Sequence, residues 1–159
     1  MKILVVGDCH GRKQQLETEA EEADVILAVG DICGDSDEMR EAMFAAMDTE
    51  KEWYDILGRE TAKEAVEKSL EEGREVLEQL NSFGKPVFIV PGNWDWDGRD
   101  ETWEFLAQKR FQKLVDEFTN IQNINRERFQ DSNFCYIGYG PCSAPEIPQY
   151  SDEKPEEDS

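Results

Sequence analysis

The sequence predicts an α/β fold with mostly parallel strands, flanking helices and a helical insertion. Three apolar runs rich in β-branched residues have the length of buried parallel strands: KILVVGD at residues 2–8, DVILAVGD at 24–31 and PVFIVPGN at 86–93. A polar helical segment, RKQQLETEAEEA at residues 12–23, separates the first two runs. This strand, helix, strand order is typical of a parallel crossover. At 159 residues the chain is long enough for one core.

The middle and later parts of the chain predict further elements. From Asp35 to Phe83 apolar residues recur at helical spacing, and we expect Gly58 to separate two helices there. Another helix is predicted over Glu101–Phe118, because an apolar stripe at helical spacing runs through it: Trp103, Leu106, Ala107, Phe111, Leu114 and Val115. The run FCYIGYG at residues 134–140 predicts one more strand.

Composition and charge restrict the function. A formal net charge of −20 argues against binding to a nucleic-acid backbone, because that affinity depends on Lys and Arg. No apolar stretch approaches the roughly 20 residues that span a bilayer, so we expect a cytoplasmic protein with no membrane partner. The four cysteines form no CxxC pair and are expected to be reduced. We expect one domain over residues 1–140, followed by a proline-rich loop and acidic tail at 141–159.

Potential metal ligands follow each of the three predicted parallel strands. Asp8 and His10 follow the first, Asp31 the second and Asn93 the third, and the carboxyl ends of parallel strands meet at one edge of a sheet. Strand alternation is expected to project Asp8 and His10 to the same side. Imidazole and carboxylate ligands are consistent with Mn, Fe, Zn or Ni. Asp31 has the position to bridge two such ions, and the Asn93 amide oxygen could hold the second.

The series GDCHG, VGDICGD and PGNWDW resembles the N-terminal part of the calcineurin-like metallophosphoesterases, in the branch of small archaeal and bacterial phosphoesterases with a helical insertion. The resemblance implies the N-terminal portion of that family's α/β sandwich and a two-metal site. Asp8 and His10 would hold the first metal, Asp31 would bridge, and Asn93 would bind the second metal and contact substrate. The implied reaction is hydrolysis of a phosphomonoester, phosphodiester or nucleotide, in which a hydroxide between the ions attacks phosphorus in line.

Two departures from the family pattern leave alternatives open. Family members usually carry a histidine directly after the GN, but here Trp94 stands there, so we expect Asp95, Asp97 or a metal-bound water to substitute, with Asp95 as the predicted catalytic residue. The family also completes its metal site with later histidines, and none follows His10. Three interpretations compete: a truncated gene product, a non-catalytic interaction scaffold on the same fold, and a site completed by a second copy or another chain.

The remaining candidates each have a functional and a structural interpretation. Arg12 and Arg99 lie near the predicted site loops and could hold phosphate oxygens, although arginines in such positions are commonly solvated. Trp94 could wall a substrate base or sugar, or pack against the core. Cys9 and Cys33 are predicted to be small buried residues rather than metal ligands.

Overall fold

The structure, a computed structural model, describes residues 1–98, 103–131 and 134–140. Arg99, Cys142 and the predicted tail at 141–159 lie outside the described residues. The elements in chain order are β1 (Ile3–Val6), α1 (Glu17–Glu22), β2 (Val25–Ala28), α2 (Asp37–Met47), α3 (Trp53–Leu57), α4 (Arg59–Ser82), β3 (Val87–Ile89), α5 (Arg110–Val115), β4 (Ile121–Asn123), β5 (Arg128–Gln130) and β6 (Cys135–Ile137).

The core of the fold is a four-stranded parallel sheet in the order β1-β2-β3-β4. The three strands predicted from apolar runs are therefore neighbours, with Ile3 opposite Val25 and Ile26 opposite Val87. The fourth strand, β4, was not predicted, and it pairs with β3 through Ile121 opposite Val87. The predicted α/β class with parallel strands and flanking helices is confirmed.

One face of this sheet is covered by helices. Side chains that alternate along the strands point to this face, as the pleat requires, and they meet apolar side chains of α4 and α5. The resulting buried cluster includes Ile26, Ala28, Val87 and Ile89 from the sheet, Val76, Leu77 and Leu80 from α4, and Phe111, Leu114 and Val115 from α5. Each such side chain contributes about 1.5–3 kcal/mol on burial, so this cluster is the main source of stability.

The opposite face is only partly covered. An antiparallel hairpin of β5 and β6 packs there. The ring centroids of Phe129 and Tyr136 lie 4.6 and 4.7 Å from the ring centroid of Phe88. Away from the hairpin, Val5 and Val29 are 58% and 55% exposed. The described part of the chain therefore presents an apolar sheet surface to solvent at β1 and the end of β2.

The insertion between β2 and β3 contains three helices, α2 to α4, where two were predicted. Gly58 does separate helices, and its φ of 90° is a backbone conformation that favours glycine. A second buried cluster joins these helices to the segment before α5, and it contains Met39, Ala42, Trp53, Tyr54, Ala62, Val66, Trp103 and Leu106.

Two predicted helices are shorter than expected. The helix predicted over 12–23 begins only at Glu17, because the segment before it is bound to α4: Gln14 N–H donates to Gln79 Oε1 at 3.0 Å, and Gln79 Nε2 donates to the Gln14 carbonyl at 2.6 Å. The helix predicted over 101–118 is also wrong in extent, since of residues 103–118 only Arg110–Val115 is helical. Its apolar stripe divides between the two clusters, with Trp103 in one and Phe111 in the other, and residues 103–109 form turns and bends rather than a helix. Within the described ranges, no helix combines the length and the apolar character needed to cross a membrane.

Candidate metal centre

Three of the predicted ligands come together at the carboxyl ends of β1 and β2. One potential ligand atom from each of Asp8, His10 and Asp31 lies within 4.8 Å of the other two. Asp8 is exposed, while His10 and Asp31 are partly buried. The cluster therefore offers two carboxylates and one imidazole to a shared point that solvent can reach.

Backbone hydrogen bonds continue the sheet beyond its strands and hold these two loops together. Asp8 N–H donates to the Gly30 carbonyl at 3.2 Å, and His10 N–H donates to the Asp31 carbonyl at 2.9 Å. Because the second bond joins one predicted ligand directly to another, the separation of the His10 and Asp31 side chains is set by the main chain.

The backbone at the three clustered residues is left-handed. Their φ angles are 52° at Asp8, 47° at His10 and 54° at Asp31, and among the described non-glycine residues only Arg126 also has a positive φ. Such conformations are sparsely populated for residues with a Cβ and concentrate at functional sites. Because β1 ends at Val6, this local turn, and not the expected strand alternation, turns Asp8 and His10 toward the same point.

The loop after β3 packs directly against Asp31. Trp94 N–H donates to Asp31 Oδ1 at 2.9 Å, and a Cβ on Gly92 would lie only 2.3 Å from the same oxygen. A Cβ on Gly30 would lie 2.5 Å from the Gly92 nitrogen, so both glycines are needed for this approach. Asn93 is exposed in the turn between Gly92 and Trp94. The structure thus places Asn93 beside the cluster, and its role as a metal and substrate ligand stays a prediction.

The Asp95 carboxylate joins the loop after β2 to the loop after β3. Its Oδ1 accepts hydrogen bonds from Ile32 N–H at 3.1 Å and Cys33 N–H at 2.9 Å, and its Oδ2 accepts one from Gly92 N–H at 2.8 Å. Burial raises the pKa of Asp95, and nearby Asp31 adds to the rise, while the bonds from Gly92 and Cys33 oppose it. With 2% of its surface exposed, Asp95 acts here as a structural clamp, and the catalytic role assigned to it stays a prediction.

Two other predicted substrate contacts lie at the edge of the cluster. The Trp94 and His10 rings meet edge to face with their centroids 6.0 Å apart, so the indole limits one side of the imidazole. Arg12 is exposed two residues after His10, and its backbone N–H donates to the Cys9 carbonyl at 2.9 Å. Contact of either side chain with a substrate stays a prediction.

The two cysteines near the cluster are buried, as expected. Burial and the nearby Asp95 and Asp8 carboxylates raise the pKa of Cys9 to about 11. Burial is also the main cause of the raised pKa of Cys33. Both thiols therefore stay protonated near neutral pH. A cysteine that binds a metal must be a thiolate, so neither is suited to that role.

One residue near the cluster was not predicted to belong to it. Asp35 Oδ2 lies 3.7 Å from His10 Nδ1, and the Asp35 side chain is 5% exposed. The available signal was the second aspartate of VGDICGD, but its spacing from Asp31 indicates no contact with His10.

The donor set fits a divalent cation. Asp8, Asp31 and the largely buried Asp35 carboxylate place negative charge around one imidazole, and a cation would offset it. The presence of the imidazole favours a transition metal over Mg²⁺ or Ca²⁺, which prefer oxygen ligands alone.

Comparisons with known proteins find a similar fold and a family. A crystal structure with 16% sequence identity has a similar fold, with a TM-score of 0.59. The similarity covers 86% of this chain and 51% of the other, so the chain spans about half the length of the structure it matches. No curated protein matches the sequence. Residues 1–154 match the calcineurin-like phosphoesterase family, and the chain therefore belongs to that family.

Proposed function

We propose that this protein binds two divalent transition-metal ions, from among Mn, Fe, Zn and Ni, and hydrolyses phosphomonoesters or phosphodiesters. The observation that carries the proposal is the convergence of Asp8, His10 and Asp31 within 4.8 Å at the strand ends of a chain in this family. Asp8 and His10 would hold the first ion, Asp31 would lie between the two, and Asn93 would hold the second.

A bound divalent metal would stabilise charge on phosphoryl oxygens and lower the pKa of a bound water. The residues of this chain prepare the site for that chemistry. Trp94 N–H holds the Asp31 carboxylate in one orientation, and the Asp95 clamp fixes the loops that carry Asp31 and Asn93. Arg12, exposed two residues after His10, would hold a phosphate oxygen. Preorganisation of this kind avoids reorganisation during the reaction.

A second candidate is a non-catalytic interaction scaffold on the same fold. The partly uncovered sheet face, where Val5 and Val29 are more than half exposed, favours it, because contiguous exposed apolar surface often marks a protein contact. Trp94 also stands where the family usually has a histidine. In this alternative the cluster of Asp8, His10 and Asp31 stabilises the loops and takes no part in a reaction.

We further propose that the substrates are small phosphoesters or nucleotides. We also propose that a second copy of this chain or another chain supplies further ligands to the metal site. The charge of −20 supports a small substrate over a nucleic-acid backbone, because an extended polyanion would be repelled along its whole length. A cytoplasmic location is part of the same proposal.

Calorimetry with Mn²⁺, combined with hydrolysis of an activated aryl phosphodiester on the same samples, tests the proposal. The wild type, Asp31→Ala and the exposed control Asp48→Ala are compared. Binding of about two ions with turnover, both lost in Asp31→Ala and kept in Asp48→Ala, would support the phosphoesterase. Metal binding without turnover would favour the scaffold. No binding by folded wild-type protein would contradict the metal site itself.

A further inference from the structure

We infer that Asp35 is the positioning residue for His10: it accepts a hydrogen bond from His10 Nδ1–H and thereby directs Nε2 toward Asp8 and Asp31. The inference rests on the proposed function in one respect, the metal that Nε2 would bind. The pairing of Asp35 with His10 is a property of the chain alone and can be tested in the metal-free protein.

Both partners have unused hydrogen-bonding atoms. His10 Nδ1 and Asp35 Oδ1 are the buried side-chain atoms without a hydrogen-bond partner among the described residues. A buried polar atom without a partner is rare, because it loses its hydration and gains nothing in return. Two such atoms on adjacent side chains, one able to donate and the other able to accept, satisfy each other if they are brought together.

The two side chains are close and face each other in a largely buried place. The nearer carboxylate oxygen, Asp35 Oδ2, lies 3.7 Å from His10 Nδ1, which is longer than a hydrogen bond, and it also accepts from Arg40. A small rotation of either side chain shortens this distance or turns the unpartnered Oδ1 toward Nδ1. The His10 side chain is 25% exposed and that of Asp35 is 5% exposed, so the contact lies on the inner side of the ring. We therefore assign Nε2, on the other side of the ring, to the point that Asp8 and Asp31 share.

The Asp35 carboxylate is itself held in place. Arg40 Nη1 donates to Asp35 Oδ2 at 2.8 Å, and Arg40 also pairs with Asp37. Ser36 caps α2 by accepting a hydrogen bond from Met39 N–H at 3.1 Å, which fixes the backbone directly after Asp35. The first helix of the insertion therefore anchors the carboxylate that faces His10.

The chemistry of the pair follows from the two tautomers of neutral imidazole. If Nδ1 carries the proton, Nε2 has the free lone pair that a metal ion needs. A carboxylate that accepts from the far nitrogen fixes this tautomer and the ring orientation, and it makes the ligand nitrogen more basic. Removal of such a partner typically weakens metal affinity by about 10–100-fold.

The test uses the fact that His10 is the only histidine, so its ring nitrogens give an unambiguous ¹⁵N NMR signature. The spectrum is recorded in EDTA at about pH 9, where an imidazole is neutral. The wild type is expected to show a protonated Nδ1 and an unprotonated Nε2. Asp35→Ala and Asp35→Asn are expected to lower the Nδ1–H population, because each removes the charged acceptor. An unprotonated Nδ1 in the wild type, or the same tautomer ratio in all folded variants, overturns the inference.

A matched control separates loss of the acceptor from loosening of α2. Asp37→Ala removes the other acidic partner of Arg40 but leaves the Asp35 carboxylate and its anchor. It is expected to keep the Nδ1–H tautomer, and a shift equal to that of Asp35→Ala would overturn the inference. Circular dichroism verifies that each variant is folded, and the conservative Asp35→Asn gives a result if Asp35→Ala does not fold.

Mn²⁺ calorimetry completes the test. Asp35→Asn is expected to bind about 10–100-fold more weakly than the wild type, while Asp37→Ala binds equally well. Unchanged affinity in folded Asp35→Asn contradicts the inference. If the wild type binds no Mn²⁺, the proposed function fails, and the tautomer of metal-free His10 still decides whether Asp35 positions it.

Discussion

Removal of the Asp95 carboxylate is expected to destabilise the protein strongly. In Asp95→Ala, the N–H groups of Ile32, Cys33 and Gly92 lose their acceptor. Ile32 and Cys33 are fully buried, and a buried donor left without a partner costs about 1–3 kcal/mol, which gives about 2–6 kcal/mol for the two. Gly92 is only partly buried and is expected to add less.

Two effects place the expected value in the lower half of that range. The variant no longer has to bury a charge, which the raised pKa of Asp95 shows to be unfavourable, and water can enter the vacated space. We therefore expect a loss of about 3 kcal/mol, which corresponds to a Tm lower by about 6–12 °C for a domain of this size. Asp95→Asn keeps one acceptor oxygen and should lose less.

Urea unfolding followed by tryptophan fluorescence measures the effect, with exposed Asp48→Ala as the control. The loss of unfolding free energy is expected to increase in the order Asp48→Ala, Asp95→Asn, Asp95→Ala. If Asp95→Ala lies within about 1 kcal/mol of the wild type, the three backbone bonds do not stabilise the loops and the clamp is refuted.

Two further predictions concern other parts of the fold. Arg74 lowers the pKa of Glu117 by donating two hydrogen bonds to it, so their contact stabilises the protein above the ordinary glutamate pKa of 4.5 and is lost as pH falls through the lowered value. Glu117→Gln should therefore have a lower Tm than the wild type at pH 7, and scans at decreasing pH should show the difference closing; a constant difference would contradict this. At pH 8, iodoacetamide should alkylate exposed Cys135 but not Cys9 or Cys33 in the folded protein. Peptide mapping by mass spectrometry would show which thiols react. Rapid labelling of either buried thiol would be incompatible with its raised pKa.

Sequence patterns were sufficient for the features that depend on local residue order. The strands β1, β2 and β3 are continuous apolar runs, of which β2 and β3 are buried on both sides and β1 is exposed on one, and such a run is distinct even over a few residues. The convergence of Asp8, His10 and Asp31 follows from the rule that parallel strands end at one edge.

Features that depend on tertiary contacts could not be predicted in this way. Strand β4 is only three residues long and contains Gln122 and Asn123, so it has no apolar run, and its pairing with β3 decides its conformation. The Asp95 clamp and the contact of Asp35 with His10 join residues that the fold brings together, and no spacing rule relates them.

The left-handed backbone at Asp8, His10 and Asp31 sets stability against activity in this protein. Glycine adopts such a conformation without the steric penalty that a Cβ brings, so replacement of exposed Asp8 by glycine would relieve strain while it removes a ligand. Variants selected only for heat resistance would therefore tend to accumulate changes at the very residues that the chemistry needs. A stabilised form suitable for engineering should be sought in the helical insertion, with these three positions held constant.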